Sequence, residues 1–443
     1  MNKKIASKAA CISSSRSLLD FIRRCPTGFH TADTVKKELL ENGFEELFEH
    51  EEWTLREGGK YFAVRGGSSI IAFRVPSFDY RGFMLAATHS DSPCFKIKDS
   101  AESKTPDGYV RLCTERYGGM LYSTWLDRPL SAAGRLTVRT DDGFETRLFN
   151  IDRDLLLIPN VAIHLNRDAN SSDRYDPASD LLPLFGTKDA KILDIAAKNA
   201  GVDAKDIISA DICVYNRQSG TVWGAENEFV SAPRLDDLQC VYSALRGFLD
   251  SDNQSSVPVL CVLDNEEVGS GTKQGADSTF LSDILTRIND AAGRTHEQYI
   301  ASIANSFLVS ADNAHAAHPN RSELSDKNNR PVLNGGIVIK YNANQKYTTD
   351  AVSSAAFRLI CEKAGVPVQI YTNRADIPGG STLGNISTSH VSLLSVDIGL
   401  AQLAMHSSYE TAGVCDTLSM IKAMTRFFSS SLSCESGGRY RLI

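Results

Sequence analysis

The stretch VPVLCVLDNEEVGSG, residues 257–271, limits most tightly how this chain can fold. Seven of its first eight residues suit a buried strand, and the run leads directly into Asp264, Glu266 and Glu267, followed by glycines. A short continuous apolar run fits a strand covered on both faces, as in a sheet flanked by helices. Neighbouring carboxylates at its end repel one another and are costly to desolvate. Such an arrangement calls for a source of positive charge.

The same rhythm recurs along the chain. Strands at SFLVSAD, GIVIKYN, VPVQIYT and VSLLSVDIG alternate with helices at STFLSDILTRINDAA, DAVSSAAFRLICEKAG and DTLSMIKAMTRFFSSSL. In DDLQCVYSALRGFL, Leu238, Val241, Tyr242, Leu245 and Leu249 share one helical face. Near the N-terminus, two helical patterns precede paired strands around Gly66-Gly67 and the strand GFMLAATHSDS. Strands alternating with helices imply an α/β fold with a mostly parallel sheet flanked by helices. Residues 94–223 differ in texture, with short alternating segments, an Asp141-Asp142-Gly143 turn signal and one helical stretch at 189–200. We read them as an inserted, strand-rich domain dividing the first domain into residues 1–93 and 224–443. A chain of 443 residues is long enough for two cores.

A formal net charge of −7 argues against a nucleic-acid binder, which needs a basic face. No apolar run reaches membrane-spanning length, and Lys8 interrupts the short apolar segment that a secretory signal would need. The ten cysteines are scattered, without a CxxC pair, which reads as reduced thiols in a cytoplasmic protein. Cys94 and Cys261, although near polar motifs, read as small buried apolar residues.

In open α/β sheets, function gathers beyond the carboxyl ends of strands. MLAAT ends in His89-Ser90-Asp91, VLCVL in Asp264-Asn265-Glu266-Glu267, and FLVSA in Asp312; LLSVDIG is followed at a short distance by His406. Asp236 stands before a helix in PRLDD. Singly, each has an ordinary explanation: a satisfied histidine, an N-cap at Asp236 or Asp237, or an Asp-Asn turn. Together they form a mixed imidazole and carboxylate set without cysteine, suited to zinc, manganese or cobalt in a catalytic centre.

The collinear motifs THSDSP, PRLDDL, DNEEVGS, SADNAHA and QLAMHS resemble the aspartyl aminopeptidase family of metallopeptidases. NVAIHLNRD, IKYNANQKY and GGSTLG extend the likeness from about residue 25 to residue 417. The resemblance implies a zinc-peptidase fold, a dimerising insert, and a cytoplasmic homo-oligomer built from dimers into a dodecamer. It also implies peptide substrates cleaved at the N-terminal residue, with acidic first residues preferred. Two zinc ions per subunit are implied, Mn2+ or Co2+ being alternatives, with Asp236 bridging. His89 and Asp312 would complete one site, and Glu267 and His406 the other. Asp91 would orient His89, and Glu266 would be the general base.

The resemblance gives His164 an oxyanion role in a neighbouring subunit; locally it also reads as a histidine on an alternating strand. Lys340 would bind an acidic side chain, or simply be a solvated lysine at a strand end. Gly380, Ser381 and Thr382 would bind the substrate backbone, since no lysine follows GGSTLG as a phosphate loop requires. His315 and His318 read as pocket or structural residues; His30 and His390 read as structural. Competing readings are a related two-metal aminopeptidase preferring neutral residues and an inactive peptidase-like scaffold. A nucleotide-binding α/β protein is disfavoured because no strand leads into GxGxxG.

Overall fold

The computed structural model describes residues 7–171, 174–187 and 189–443. Four strands lie side by side and parallel at the middle of a thirteen-stranded sheet: Val257–Leu263, Phe83–His89, Phe307–Ala311 and Leu394–Leu403. The first three are buried along their whole length, which accounts for their largely apolar sequences. Because the four run the same way, their carboxyl ends emerge along one edge. The flanks are antiparallel: the Lys60–Arg65 and Ser69–Arg74 hairpin on one side, and Glu410–Gly413 with Phe229–Ala232 on the other.

Helices cover both faces of this sheet. On one, Lys8–Arg24, Gly28–Glu41, Leu235–Leu249, Ala351–Ala364 and Asp416–Phe428 contribute Leu18, Val35, Leu245, Phe357 and Phe427 to a common core. On the other, Phe280–Ala291 and Leu383–His390 bring Phe280, Ile284 and Leu383 against Tyr61, Phe73 and Phe83. Each large side chain so buried contributes about 1.5–3 kcal/mol. The helix His296–Ala304, not anticipated from the sequence, starts with a capping box between Thr295 and Gln298.

A second, antiparallel sheet has the order Phe144–Asn150, Leu130–Arg139, Ile207–Asn216, Cys94–Lys104, Val110–Tyr117, Leu184–Gly186. Phe95, Leu112, Leu136 and Val214 form its core together with Ile192 and Ala196 of the helix Ile192–Ala200. The strand Thr221–Trp223 pairs with Phe229–Ala232 of the larger sheet. The chain has therefore rejoined that sheet before the return expected at residue 224. Three residues are too few for a strand period to be read from sequence.

No helix among the described residues is long and apolar enough to cross a membrane. One cysteine pair departs from the expectation of reduced thiols. Cys11 of the first helix and Cys415, at the start of the helix Asp416–Phe428, form a disulfide with Cα atoms 4.6 Å apart. Ser15 donates to the carbonyl of Val414 at 2.8 Å, fixing the same two elements together. A cross-link spanning 404 residues constrains the unfolded chain and contributes about 2–4 kcal/mol. Denaturing alkylation without reductant should therefore leave two of the ten cysteines unmodified, and Cys11→Ser should lower Tm. Ten modified cysteines, or an unchanged Tm, would contradict the bridge.

Candidate active site

Beyond the carboxyl ends of the parallel strands, backbone turns aim the polar residues at one point. Asn265 adopts a left-handed conformation (φ 64°), which asparagine tolerates, and swings the chain out of the strand. The amides of Glu266 and Glu267 then both donate to the Asp91 carboxylate, each at 3.2 Å. Asp236 enters at the head of the helix Leu235–Leu249, where the Asp236–Asp237 peptide is cis. Neither aspartate caps that helix; instead the Asp237 carboxylate accepts the His89 amide at 3.2 Å.

Glu410 had not been singled out from the sequence. It is buried, and its two carboxylate oxygens accept the amide of Asp236 at 3.0 Å and that of His406 at 2.8 Å. One carboxylate thus ties together two distant segments. The four-residue strand Glu410–Gly413, Glu-Thr-Ala-Gly, carries no sequence signal that would have marked it.

The geometry centres on Asp236. Its Oδ1 is 3.5 Å from His89 Nε2, which is 3.8 Å from Asp312 Oδ1. Its Oδ2 is 3.6 Å from His406 Nε2, which is 3.3 Å from Glu267 Oε2. The two oxygens of one carboxylate therefore face two separate imidazole–carboxylate pairs. Among the described residues, every close group of three or more metal-ligand side chains falls here, with Asp237 and Glu266 completing the set.

Asp91 does more than expected. His89 Nδ1 is 3.1 Å from the Asp91 carbonyl and 3.5 Å from its carboxylate, so the main chain is its nearer partner. The carboxylate chiefly organises the Glu266–Glu267 turn. Lys340 is 2% exposed and lines the cleft, with its ammonium 3.3 Å from Asp312 Oδ2. Gly380, Ser381 and Thr382 line the same cleft, with His315 at its rim. Thr382 turns its hydroxyl to Asp397 and Ser381 donates to Asn385, whereas Gly380 has open space above its Cα. His164 is not brought to this cleft. It lies in an exposed turn beside exposed Val161, Ile163 and Leu165.

Crowding shifts the titration of these groups. Desolvation pushes Glu266 up to about 8, with the charges of Asp312, Asp91 and Asp236 adding to it. Desolvation likewise raises Glu267 and Asp237 well above the carboxylate range, and nearby acids add to it. Against its own desolvation, His89 is raised by Asp237, Asp236, Asp312 and Asp91. Asp312 is held low, also against desolvation, by Lys340 and His89.

These residues fit divalent metal ions. Asp236 Oδ1, Asp237 Oδ1 and Glu267 Oε1 are buried acceptors without any hydrogen-bond donor. Leaving such oxygens unpaired is costly, and a cation satisfies several at once. Imidazole with carboxylate is a donor set that zinc accepts.

Comparison with known proteins agrees with this chemistry. A family model described as aminopeptidase I zinc metalloprotease (M18) matches residues 21–428. A probable M18 family aminopeptidase 2 of Clostridium acetobutylicum is 44% identical, the alignment covering 94% of this chain and 98% of that relative. Among solved structures, the Ape4 and Nbr1 complex aligns with a TM-score of 0.92 at 34% identity, covering 95% of this chain and 86% of that one. The S. cerevisiae mApe1 dodecamer aligns at 0.83 and 28%, covering 94% and 96%. The chain belongs to the M18 family of zinc metalloaminopeptidases.

Proposed function

We propose that this protein is a two-zinc aminopeptidase that removes the first residue of peptides. The observation carrying the proposal is the placement of the two Asp236 oxygens, 3.5 Å and 3.6 Å from two different histidines. His89, Asp312 and Asp236 would hold one ion; Glu267, His406 and Asp236 would hold the other. Zinc, when bound, polarises a carbonyl and lowers the pKa of water.

The chain's own residues supply proton transfer and binding. Glu266 lines the cleft outside the Asp236 pairings, which leaves its carboxylate free to exchange protons as a general base. It takes a proton from the attacking water and returns it to the departing amine. Gly380 offers backbone to the peptide. His164, on its apolar turn, would donate to the developing oxyanion in a neighbouring copy. A homo-oligomer, of which the mApe1 dodecamer is a relative's example, would then be required for turnover. We assign the enzyme to the cytoplasm on the eight cysteines that stay free; the Cys11–Cys415 bridge is the one feature that weighs against it.

Lys340 in the cleft favours acidic first residues. Its pairing with Asp312 favours the second reading, a preference for neutral ones, because the ammonium is already neutralised. A panel of aminoacyl substrates separates them. The first reading requires higher kcat/KM for Asp and Glu than for Ala and Leu; the reverse order establishes the second.

Glu266→Gln should retain metal and fold while kcat falls by about 10²–10⁴. A variant with normal kcat would exclude Glu266 as the base. Chelation offers another test. Glu266 and Glu267, raised when folded, hold protons that the unfolded chain releases near 4.5. The stability they lend the ion-free protein is therefore present below about pH 4.5 and is lost as pH rises towards about 8. The Tm of chelated protein should fall across that interval, and added zinc should raise it most at the alkaline end. A flat profile unaffected by zinc would contradict the assignment. Finally, His164→Ala should lower kcat without dispersing the oligomer, as kinetics with size-exclusion chromatography will show.

A further inference from the structure

Tyr117 closes the strand Val110–Tyr117 of the second sheet, yet its side chain belongs to the active-site network. Its hydroxyl donates to Asp91 Oδ2 at 2.6 Å and accepts from Asn265 Nδ2 at 2.8 Å. Asp91 is the carboxylate that receives the amides of Glu266 and Glu267, and Asn265 is the left-handed residue that starts their turn. One buried phenol therefore touches both groups that set the direction of the glutamate pair. Burial and the charges of Asp91 and Asp264 keep it in its neutral, proton-donating form.

The residues that follow continue this contact. Gly118 has φ 73°, and a Cβ placed on it would lie 3.1 Å from the Cβ of Glu267. Only a glycine lets the second sheet approach the glutamate so closely without strain. Leu121 then donates its amide to the His406 carbonyl at 3.0 Å, and Thr124 Oγ1 accepts the amide of Ser408 at 2.9 Å. The segment 117–124 thus braces the chain around both Glu267 and His406, the pair facing Asp236 Oδ2. The opposite pair is set differently: Asp312 leans on Lys340 of the larger sheet, the His89 amide on Asp237 of the helix Leu235–Leu249, and His89 Nδ1 meets Asp91 most closely at its main-chain carbonyl, which Tyr117 does not touch.

We propose that Tyr117 is a positioning residue through which the second sheet controls the Glu267–His406 half of the metal centre and the aim of Glu266. The inference rests on the reading of Glu267 and His406 as ligands. It gives the second sheet a direct part in the chemistry: a shift of that sheet relative to the larger one alters one metal position before the other. Groups hydrogen-bonded to a metal ligand typically govern metal affinity by about 10–100-fold, and Tyr117 acts one contact further out, through the Asp91 carboxylate that holds the Glu267 amide.

The test is Tyr117→Phe, which keeps the ring and its contact with Lys96 but deletes the hydroxyl. Zinc dissociation constants would be measured by competition with a chromophoric chelator on the intact oligomer, alongside kcat, KM and Tm. One zinc constant should weaken at least tenfold and the other change less than twofold. The kcat should fall with KM nearly constant, and Tm should hold. Gly118→Ala, which keeps the hydroxyl but sets a methyl group against Glu267, should reproduce the one-site loss. Unchanged zinc constants in both variants would overturn the inference, as would equal loss at both sites with a lowered Tm, the signature of a packing residue. If the unmodified protein itself binds fewer than two zinc ions, the ligand reading fails, and this inference falls with it.

Discussion

The structure depends on compensating the negative charge gathered around Asp236. Carboxylates from three segments converge at the sheet edge, within reach of two imidazoles and one buried lysine. Protein charge does not balance them: Lys340 answers Asp312, whereas Glu266, Glu267 and Asp237 are forced towards their neutral forms. A buried anion without a partner costs several kcal/mol, a penalty that the proposed zinc ions would relieve. The family's zinc chemistry and the electrostatics of the fold are two aspects of one requirement.

The supporting structure is economical because acids also act as scaffolding. Asp91 and Glu410 do not face the centre through their carboxylates; they collect main-chain amides from Glu266, Glu267, Asp236 and His406. Amide donors stabilise carboxylate charge, so these contacts offset part of the desolvation they incur. The parallel strands bring the segments to one edge, and the carboxylate clamps fix their final orientation. Tyr117 adds the second sheet to this framework.

Much of this was legible in the sequence, for a definite reason. Strands buried on both faces must be largely apolar, so the charged and imidazole residues ending them stand out: His89 after MLAAT, Asp312 after FLVSA, and the glutamates after VLCVL. Those positions mark the site without any knowledge of pairing. What stayed hidden was set by contacts remote in sequence. Tyr117 looks like any aromatic residue on an alternating strand; its role appears only when Asp91 and Asn265 are folded against it. Glu410 looks like a strand-edge acid, and Cys11 and Cys415 lie 404 residues apart. The antiparallel flanks and the early return at Thr221–Trp223 are likewise questions of pairing that periodicity does not address.

The central claim is that the two oxygens of Asp236 serve two cations. Anomalous diffraction at the zinc absorption edge, from crystals grown with zinc, tests it most directly. The account predicts two peaks about 3.5–4 Å apart, one against His89 and Asp312, the other against Glu267 and His406, with Asp236 between them. A single peak, or peaks that leave Asp236 uncoordinated, would contradict it.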